Sequence, residues 1–209
     1  MNAFDLTRDL KRAFPQDPGE LGLLHARLAA QAEREGILDV AYRTVDSPVG
    51  PLLLAATEAG LVRVAYASED HDLVLRSLAT RISPRILSAP ARLDEPAREL
   101  DEYFAGRRRS FGLRLDWRLS AGFRRAVLRS LPDIGYGQTA SYAAVAALAG
   151  NPKAFRAAAT ACATNPLPVV VPCHRVIYSD GRIGRYLGGA EAKRALLTLE
   201  TSPSQGGAA

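Results

Sequence analysis

Apolar positions in LGLLHARLAAQAEREG, residues 21–36, recur at helical spacing, and Gly36 is placed to stop the helix. From Asp39 the pattern changes. The stretch VAYRTVDSPVGPLLLAATEAGLVRVAYA holds one strand and then two apolar runs joined by Thr57-Glu58-Ala59-Gly60, which predicts a hairpin and a small antiparallel sheet. HDLVLRSLATRI and DEPARELDEYFAG return to amphipathic helical spacing, the second ending at Gly106. Beyond Trp117 the chain turns alanine-rich. GFRRAVLRSL predicts one helix, and residues 134–165 predict two more, separated by Gly150-Asn151-Pro152. Gly150 supplies a left-handed stop, and Pro152 suits the first turn of the next helix, where its missing N–H costs nothing. Two short helices across a tight turn make a helix-turn-helix candidate, a weak signal taken alone.

In the second of these helices Phe155, Ala159 and Cys162 share one stripe, expected to face the core. The other face carries Lys153, Arg156, Thr160 and Ala163, with few long side chains. A helix that reads bases in the major groove needs Asn, Gln or several Arg for the base edges. A slim helix with one arginine suits close approach in a narrow groove, read by shape, or else simple packing.

With 209 residues and 47% hydrophobic content the chain can bury the core of one large domain or two small ones. Its N-terminus scatters charges through MNAFDLTRDLKRAF, and no apolar run is long enough to span a membrane. A cytoplasmic protein without a membrane partner is expected. The net charge of +5 is compatible with a polyanionic partner. Arg107-Arg108-Arg109 reads as a solvated face or a phosphate contact. Two cysteines, Cys162 and Cys173, cannot build a disulfide framework or a four-thiolate zinc site, and His25 and His71 lack ligand spacing. No metal is expected.

The chemistry concentrates in NPLPVVVPCHRVI, residues 165–177. PVVVP predicts a buried extended segment ending at Pro172, so that Cys173 opens a new turn at the edge of the core. Adjacent side chains diverge, and Cys173 and His174 are poorly placed for a direct hydrogen bond; a bridging water could connect them. An imidazole that draws off the thiol proton through such a water yields the reactive thiolate, and a third group must fix its tautomer. Glu191 and Glu200, at the two ends of the helix AEAKRALLTLE, are the nearby acids; Glu200, at the unfavourable end of the helix dipole, invites a further role. GRIGRYLGG between them is a glycine-rich loop able to close over a ligand.

Pro172 to Val176, P-C-H-R-V, resembles the active-site signature of the O6-alkylguanine-DNA alkyltransferases. Gly137, Ser141-Tyr142, Leu148 to Ala154, Arg156, Asn165-Pro166, Gly184, Tyr186, Gly188-Gly189 and Glu200 follow in that family's order and spacing. The match is specific over residues 134–200 and general over 39–115. It implies an α+β protein with a small ribonuclease H-like antiparallel sheet domain (39–115) and a DNA-binding and catalytic helix-turn-helix domain (116–200); the residue pattern adds a helical N-terminal extension (1–38), without counterpart in that family, and a disordered tail (201–209). It implies that Cys173 accepts an alkyl group from O6 of guanine, and O4 of thymine, once per molecule, with His174 and Glu200 activating it through water. Asn165 would be the hinge to the active-site turn. Tyr142 would donate to N3 of guanine, and Arg156 would fill the space left by a flipped nucleotide. Ser141, Ala154 and Ala157 would line the DNA contact in the minor groove of double-stranded DNA. Backbone groups of Cys173 and Val176, the Leu187 N–H and Tyr186 would hold the base.

No cofactor is implied, and a monomer in solution is expected. The absence of cysteine before residue 162 sets this chain apart from relatives with N-terminal zinc or phosphotriester-repair domains, and neither feature is expected here. Competing readings are a non-catalytic lesion sensor on the same fold, a helix-turn-helix regulator with a structural Cys173, and a thiol hydrolase using Cys173 and His174.

Overall fold

The computed structural model describes residues 18–202. The expectations for residues 1–17 and 203–209, the start of the extension and most of the tail, lie outside them. Helix α1 (Pro18–Arg34) precedes three strands, β1 (Val40–Val45), β2 (Leu52–Thr57) and β3 (Gly60–Tyr66), which pair antiparallel in sequence. Helix α2 (His71–Arg81) then carries the chain back across the sheet, and β4 (Ile86–Ser88) pairs with the outer edge of β1. The sheet order is β3-β2-β1-β4. The expected antiparallel sheet is formed by β1, β2 and β3, and β4, a strand the pattern did not announce, adds a parallel edge to it. A helical crossover after β3 returns the chain in the same direction as β1, so β4 is parallel to it.

Every residue of β2 is buried because both faces of the sheet are covered. Leu53 and Ala55 pack with Val40, Val62 and Ala65 under Val74 and Leu78 of α2. Leu52 and Leu54 face the larger core, which continues into the second half of the chain through Leu128, Val171, Cys173 and Leu196. One core therefore serves the sheet lobe and the helical lobe. Helix α3 (Asp94–Phe104) lies on this side of the sheet and buries Leu100 and Tyr103 against the helical lobe.

The arginine run after α3 is tied back to that helix. Arg107 pairs with Asp101 at 3.0 Å, Arg108 pairs with Glu99 at 3.2 Å and Glu102 at 2.8 Å, and Arg109 lies over the Tyr136 ring.

The helical lobe consists of α4 (Gly122–Ser130), a two-residue strand β5 (Ala140–Ser141), α5 (Tyr142–Leu148), α6 (Phe155–Ala163), a second short strand β6 (Val176–Ile177) and α7 (Gly189–Thr201). Helices α4, α5 and α6 pack on one another, and α5-turn-α6 is the expected helix-turn-helix. Gly150 takes the left-handed conformation, φ 85°, and ends α5 as predicted. Pro152 does not enter α6: the helix starts three residues later, at Phe155, and Pro152 belongs to the turn. The core stripe of α6 is likewise corrected, to Ala158, Ala161 and Cys162; Phe155, in the first turn and beyond the reach of the packed face, is 48% exposed.

The apolar run before Cys173 is buried, as expected, but it is not extended. Val169 has φ 71°, and the chain folds into tight turns in which Val171 N donates to Leu167 O and Cys173 N donates to Val171 O. The β3 edge reaches only its start, where Val64 N donates to Pro166 O, and the Asn165 side chain satisfies the backbone that follows.

Candidate active site

Three features of the chain bring the candidate residues together. The parallel pair β5–β6, with Ala140 opposite Val176 and Ser141 opposite Ile177, sets the start of α5 beside the turn of Cys173–Arg175. Asn165, fully buried after α6, spans the turns of residues 165–173. Its Oδ1 accepts from Leu167 N at 3.0 Å, and its Nδ2 donates to Val171 O at 2.9 Å and to Cys173 Sγ at 3.1 Å. The third feature is α7, whose spacing of Lys193, Leu196 and Glu200 places all three on its buried stripe.

Glu200 is the hub. Its Oε1 lies 2.9 Å from His174 Nε2 and accepts from Tyr103 Oη at 2.7 Å. Arg175 grips both oxygens, Nε on Oε2 and Nη2 on Oε1, each at 2.9 Å, while its Nη1 donates to Ile134 O at 2.6 Å. Gly137 N adds a bond to Oε2 at 3.1 Å, and a Cβ on that residue would stand 2.8 Å from Glu200 O. Burial alone would raise the Glu200 carboxyl, but the bonds from His174 and Arg175 outweigh it and hold the group down at about 2. It is a carboxylate at any physiological pH.

That charge defines the histidine. Burial pulls the His174 imidazole below its ordinary value, against the pull of Glu200, so it is neutral at pH 7. The bond to Glu200 puts the single proton on Nε2, and Nδ1 is left as a buried acceptor with no partner among the described residues. Cys173 and His174 make no direct hydrogen bond, as the sequence predicts. The thiol is buried and thereby pushed up to about 11; the Asn165 donor and the nearby Lys193 charge oppose that rise. A thiol this reluctant needs a base to be a nucleophile at neutral pH.

Around this centre, Tyr142 begins α5 and is buried with its ring edge-on to Tyr178, and burial raises its hydroxyl to about 12. Gly184 passes so close that a Cβ there would sit 2.3 Å from Tyr142 Oη. Tyr186 is only partly buried, and its hydroxyl is 2.9 Å from that of Tyr66 in the sheet lobe. Leu187 is half-buried beside it. Val176 O already accepts a 2.5 Å bond from Lys193 Nζ, leaving one lone pair for another donor. Ser141 caps α5, its Oγ accepting from Ala144 N at 3.1 Å. Arg156 and Ala157 are exposed on the first turn of α6, next to the half-buried Ala154. Glu191, the alternative acid, lies exposed and paired with Arg194.

Two segments of the chain match family models: residues 40–117 the ribonuclease-like domain of 6-O-methylguanine DNA methyltransferase, and residues 122–202 its DNA binding domain. A methylated-DNA–protein-cysteine methyltransferase of Methanosarcina barkeri is 36% identical over 76% of this chain and 96% of its own length. One of Mycobacterium tuberculosis is 38% identical over 77% and 92%. The chain belongs to the O6-methylguanine DNA methyltransferase family. The solved structure of the Mycobacterium tuberculosis O6-methylguanine methyltransferase has a TM-score of 0.69 at 36% identity, covering 79% of this chain and 96% of that one. A structure of the same bacterium's enzyme in complex with DNA gives 0.68 at 37% identity, covering 77% and 92%. Helix α1 lies outside the segments that match the methyltransferase models.

Within this candidate site the sequence reading missed three residues. Tyr103 comes from the other lobe, 71 positions from His174, and carries no local signal. Arg175 could have been found, since a buried Glu200 needs a cation and Arg175 adjoins His174. Lys193 shares the helical stripe of Leu196 and Glu200, a periodicity visible in the sequence. Among the described residues, no three His, Cys, Asp or Glu side chains converge as a metal site requires.

Proposed function

We propose that this chain repairs alkylated DNA directly, moving a methyl or larger alkyl group from O6 of guanine, and from O4 of thymine, in double-stranded DNA onto its own Cys173. The observation that carries the reading is Cys173 Sγ held by Asn165 at 3.1 Å next to a neutral, buried His174 that is anchored on Glu200. The thiol proton passes through a water to His174 Nδ1, and Glu200 stabilises the imidazolium. The thiolate attacks the alkyl carbon in line. A C–S bond forms as the C–O bond breaks, and the electron pair goes to guanine, whose N3 takes a proton or hydrogen bond from Tyr142.

The base reaches the site by leaving the duplex stack, with Arg156 filling its place and the slim face of α6, with Ala154, Ala157 and Ser141 nearby, against the minor groove. Cys173 and Val176 carbonyls accept from the guanine amino group, the Leu187 N–H donates to O6, and Tyr186 borders the base. The thioether product does not hydrolyse, so each molecule acts once. The chain works as a monomer in the cytoplasm; among its described residues no helix is long and apolar enough to cross a membrane.

The test is intact-mass spectrometry after mixing the protein with a duplex that carries O6-methylguanine. One methyl on Cys173 is expected, with the reaction ending at one equivalent. A lesion cleared by Cys173→Ala, or turnover beyond one equivalent, refutes the reading; binding without transfer would make the protein a sensor.

A further inference from the structure

A cavity of about 340 Å³ opens at the seam of the two lobes, away from the relay of Cys173, His174 and Glu200. Arg63 of β3, Arg81 of α2 and Arg124 of α4 line it, with Glu69 as the one carboxylate on its wall. Glu69 is committed to Arg63. Neither Arg81 nor Arg124 forms a salt bridge among the described residues. Arg124 spends one nitrogen on Thr164 O at the end of α6, and its Nε is buried with no partner among the described residues.

Three guanidiniums so arranged repel one another. The Arg124 guanidinium is held below its ordinary value first by burial and then by the charges of Arg81 and Arg63. Against +3 stand one carboxylate and the carboxyl end of α6, worth about half a charge. The wall is net positive and holds a buried donor without an acceptor, which a bound anion would supply.

We infer that this cavity is an oxyanion site that takes a phosphate group between the lobes, on the guanidiniums of Arg81 and Arg124. Arginine forks match phosphate oxygens in pairs, and the volume admits a phosphate with its water or an attached sugar. The phosphate has two sources: a free phosphate or phosphate monoester, or the backbone of bound DNA. The second rests on the DNA-repair reading; Leu187, expected beside the flipped base, lines the same cavity. The site is also linked to the thiol: Arg63 Nη1 donates to Asn165 O at 3.5 Å, and the side chain of the same Asn165 holds Cys173 Sγ.

The experiment has two arms on the full chain. In the first, calorimetric titration with inorganic phosphate, at ionic strength matched with chloride, compares the wild type with Arg81→Gln and Arg124→Gln. A free-phosphate site gives saturable binding in the wild type and about tenfold weaker binding in either variant, the loss of one charge-assisted bond. In the second, affinity for an unmodified duplex is followed against salt. A DNA phosphate gives no saturable phosphate heat, but lowers the slope of log affinity against log salt by about one in either variant. Arg81 is exposed, so its replacement leaves the fold intact and serves as the control for any damage at Arg124. Absence of phosphate binding together with an unchanged slope in Arg81→Gln overturns the inference. Methyl transfer to Cys173, read by mass in the same samples, reports separately whether the repair reading stands.

Discussion

Tyr103, at the end of a helix in the sheet lobe, donates a 2.7 Å hydrogen bond to Glu200 Oε1 in the last helix of the other lobe. Both residues are buried, and Tyr103 Oη is also 3.4 Å from His174 Nε2. Burial and the neighbouring carboxylate push the Tyr103 hydroxyl up, so it acts only as a donor. The sheet lobe thereby helps to lower the basicity of the carboxylate that holds the histidine, behind His174 and Arg175. Tyr103→Phe should cost about 1.5–3 kcal/mol of stability, as loss of a bond to a charged group does. Without this donor Glu200 becomes more basic and stabilises the imidazolium more, so the acid limb of the rate profile should move to higher pH. A slower rate with the limb unmoved would mean that Tyr103 only packs.

Asn165 joins two functions in one side chain, closing the buried turn of residues 165–171 and donating to the Cys173 thiol. Asn165→Ala leaves Leu167 N buried without its acceptor and Val171 O with the Cys173 N–H alone, which should cost about 1–3 kcal/mol. Burial already raises the thiol to about 11, and the Asn165 bond is the first influence opposing it, so the variant thiol should ionise at still higher pH. The pH dependence of alkylation of Cys173 by a small haloacetamide checks this; an unshifted profile in folded variant protein contradicts it.

Much of this site can be read in the sequence where the signal is local. Gly150 marks the helix-turn-helix because only a left-handed residue stops α5 so tightly, and the P-C-H-R-V turn carries its chemistry in consecutive residues. Signals failed where distant contacts decide. PVVVP has strand composition, yet the Asn165 amide captures its backbone and folds it into turns. Phe155 fits the stripe of Cys162, but the packed face of α6 only begins at Ala158. Tyr103 was invisible because its role exists only once β2 and α3 have docked on the core shared with α7. Arg175 and Lys193 lie between: a buried carboxylate and a helical stripe point to them.

Arg156 is exposed on the first turn of α6, and its guanidinium lies over the adjacent Phe155 ring. It makes no structural bond that the fold depends on. Arg156→Ala should therefore unfold at the wild-type temperature yet transfer methyl from duplex DNA far more slowly, by about tenfold or more if stacking and charge both contribute. Transfer from free O6-methylguanine base needs no flipping and should be unchanged. Equal slowing with both substrates would remove the flipping role.

The acid response should separate catalysis from stability. In the proposed relay His174 must be neutral to accept the thiol proton, and burial places its value below 6.5, so single-turnover transfer should hold steady above neutrality and fall with a midpoint below pH 6.5. Glu200 is depressed from 4.5 to about 2. A carboxyl lowered on folding stabilises the native state above its unfolded value, and that contribution is lost as pH falls from about 4.5 towards 2; for this shift it amounts to about 3 kcal/mol. The lowered His174 acts in the same sense from pH 6.5 downward, since the unfolded chain binds its proton first. The melting temperature should thus decline below pH 6.5 and drop most steeply between 4.5 and 2. Glu200→Gln should flatten the lower part of that curve, while costing about 3–5 kcal/mol at pH 7 because the Arg175 guanidinium is left buried without its carboxylate. Circular dichroism melts from pH 2 to 8, set beside transfer rates from pH 5 to 9, test both limbs. A rate midpoint above 6.5, or a wild-type melting curve as flat as that of the variant, would contradict the relay of Glu200 and His174.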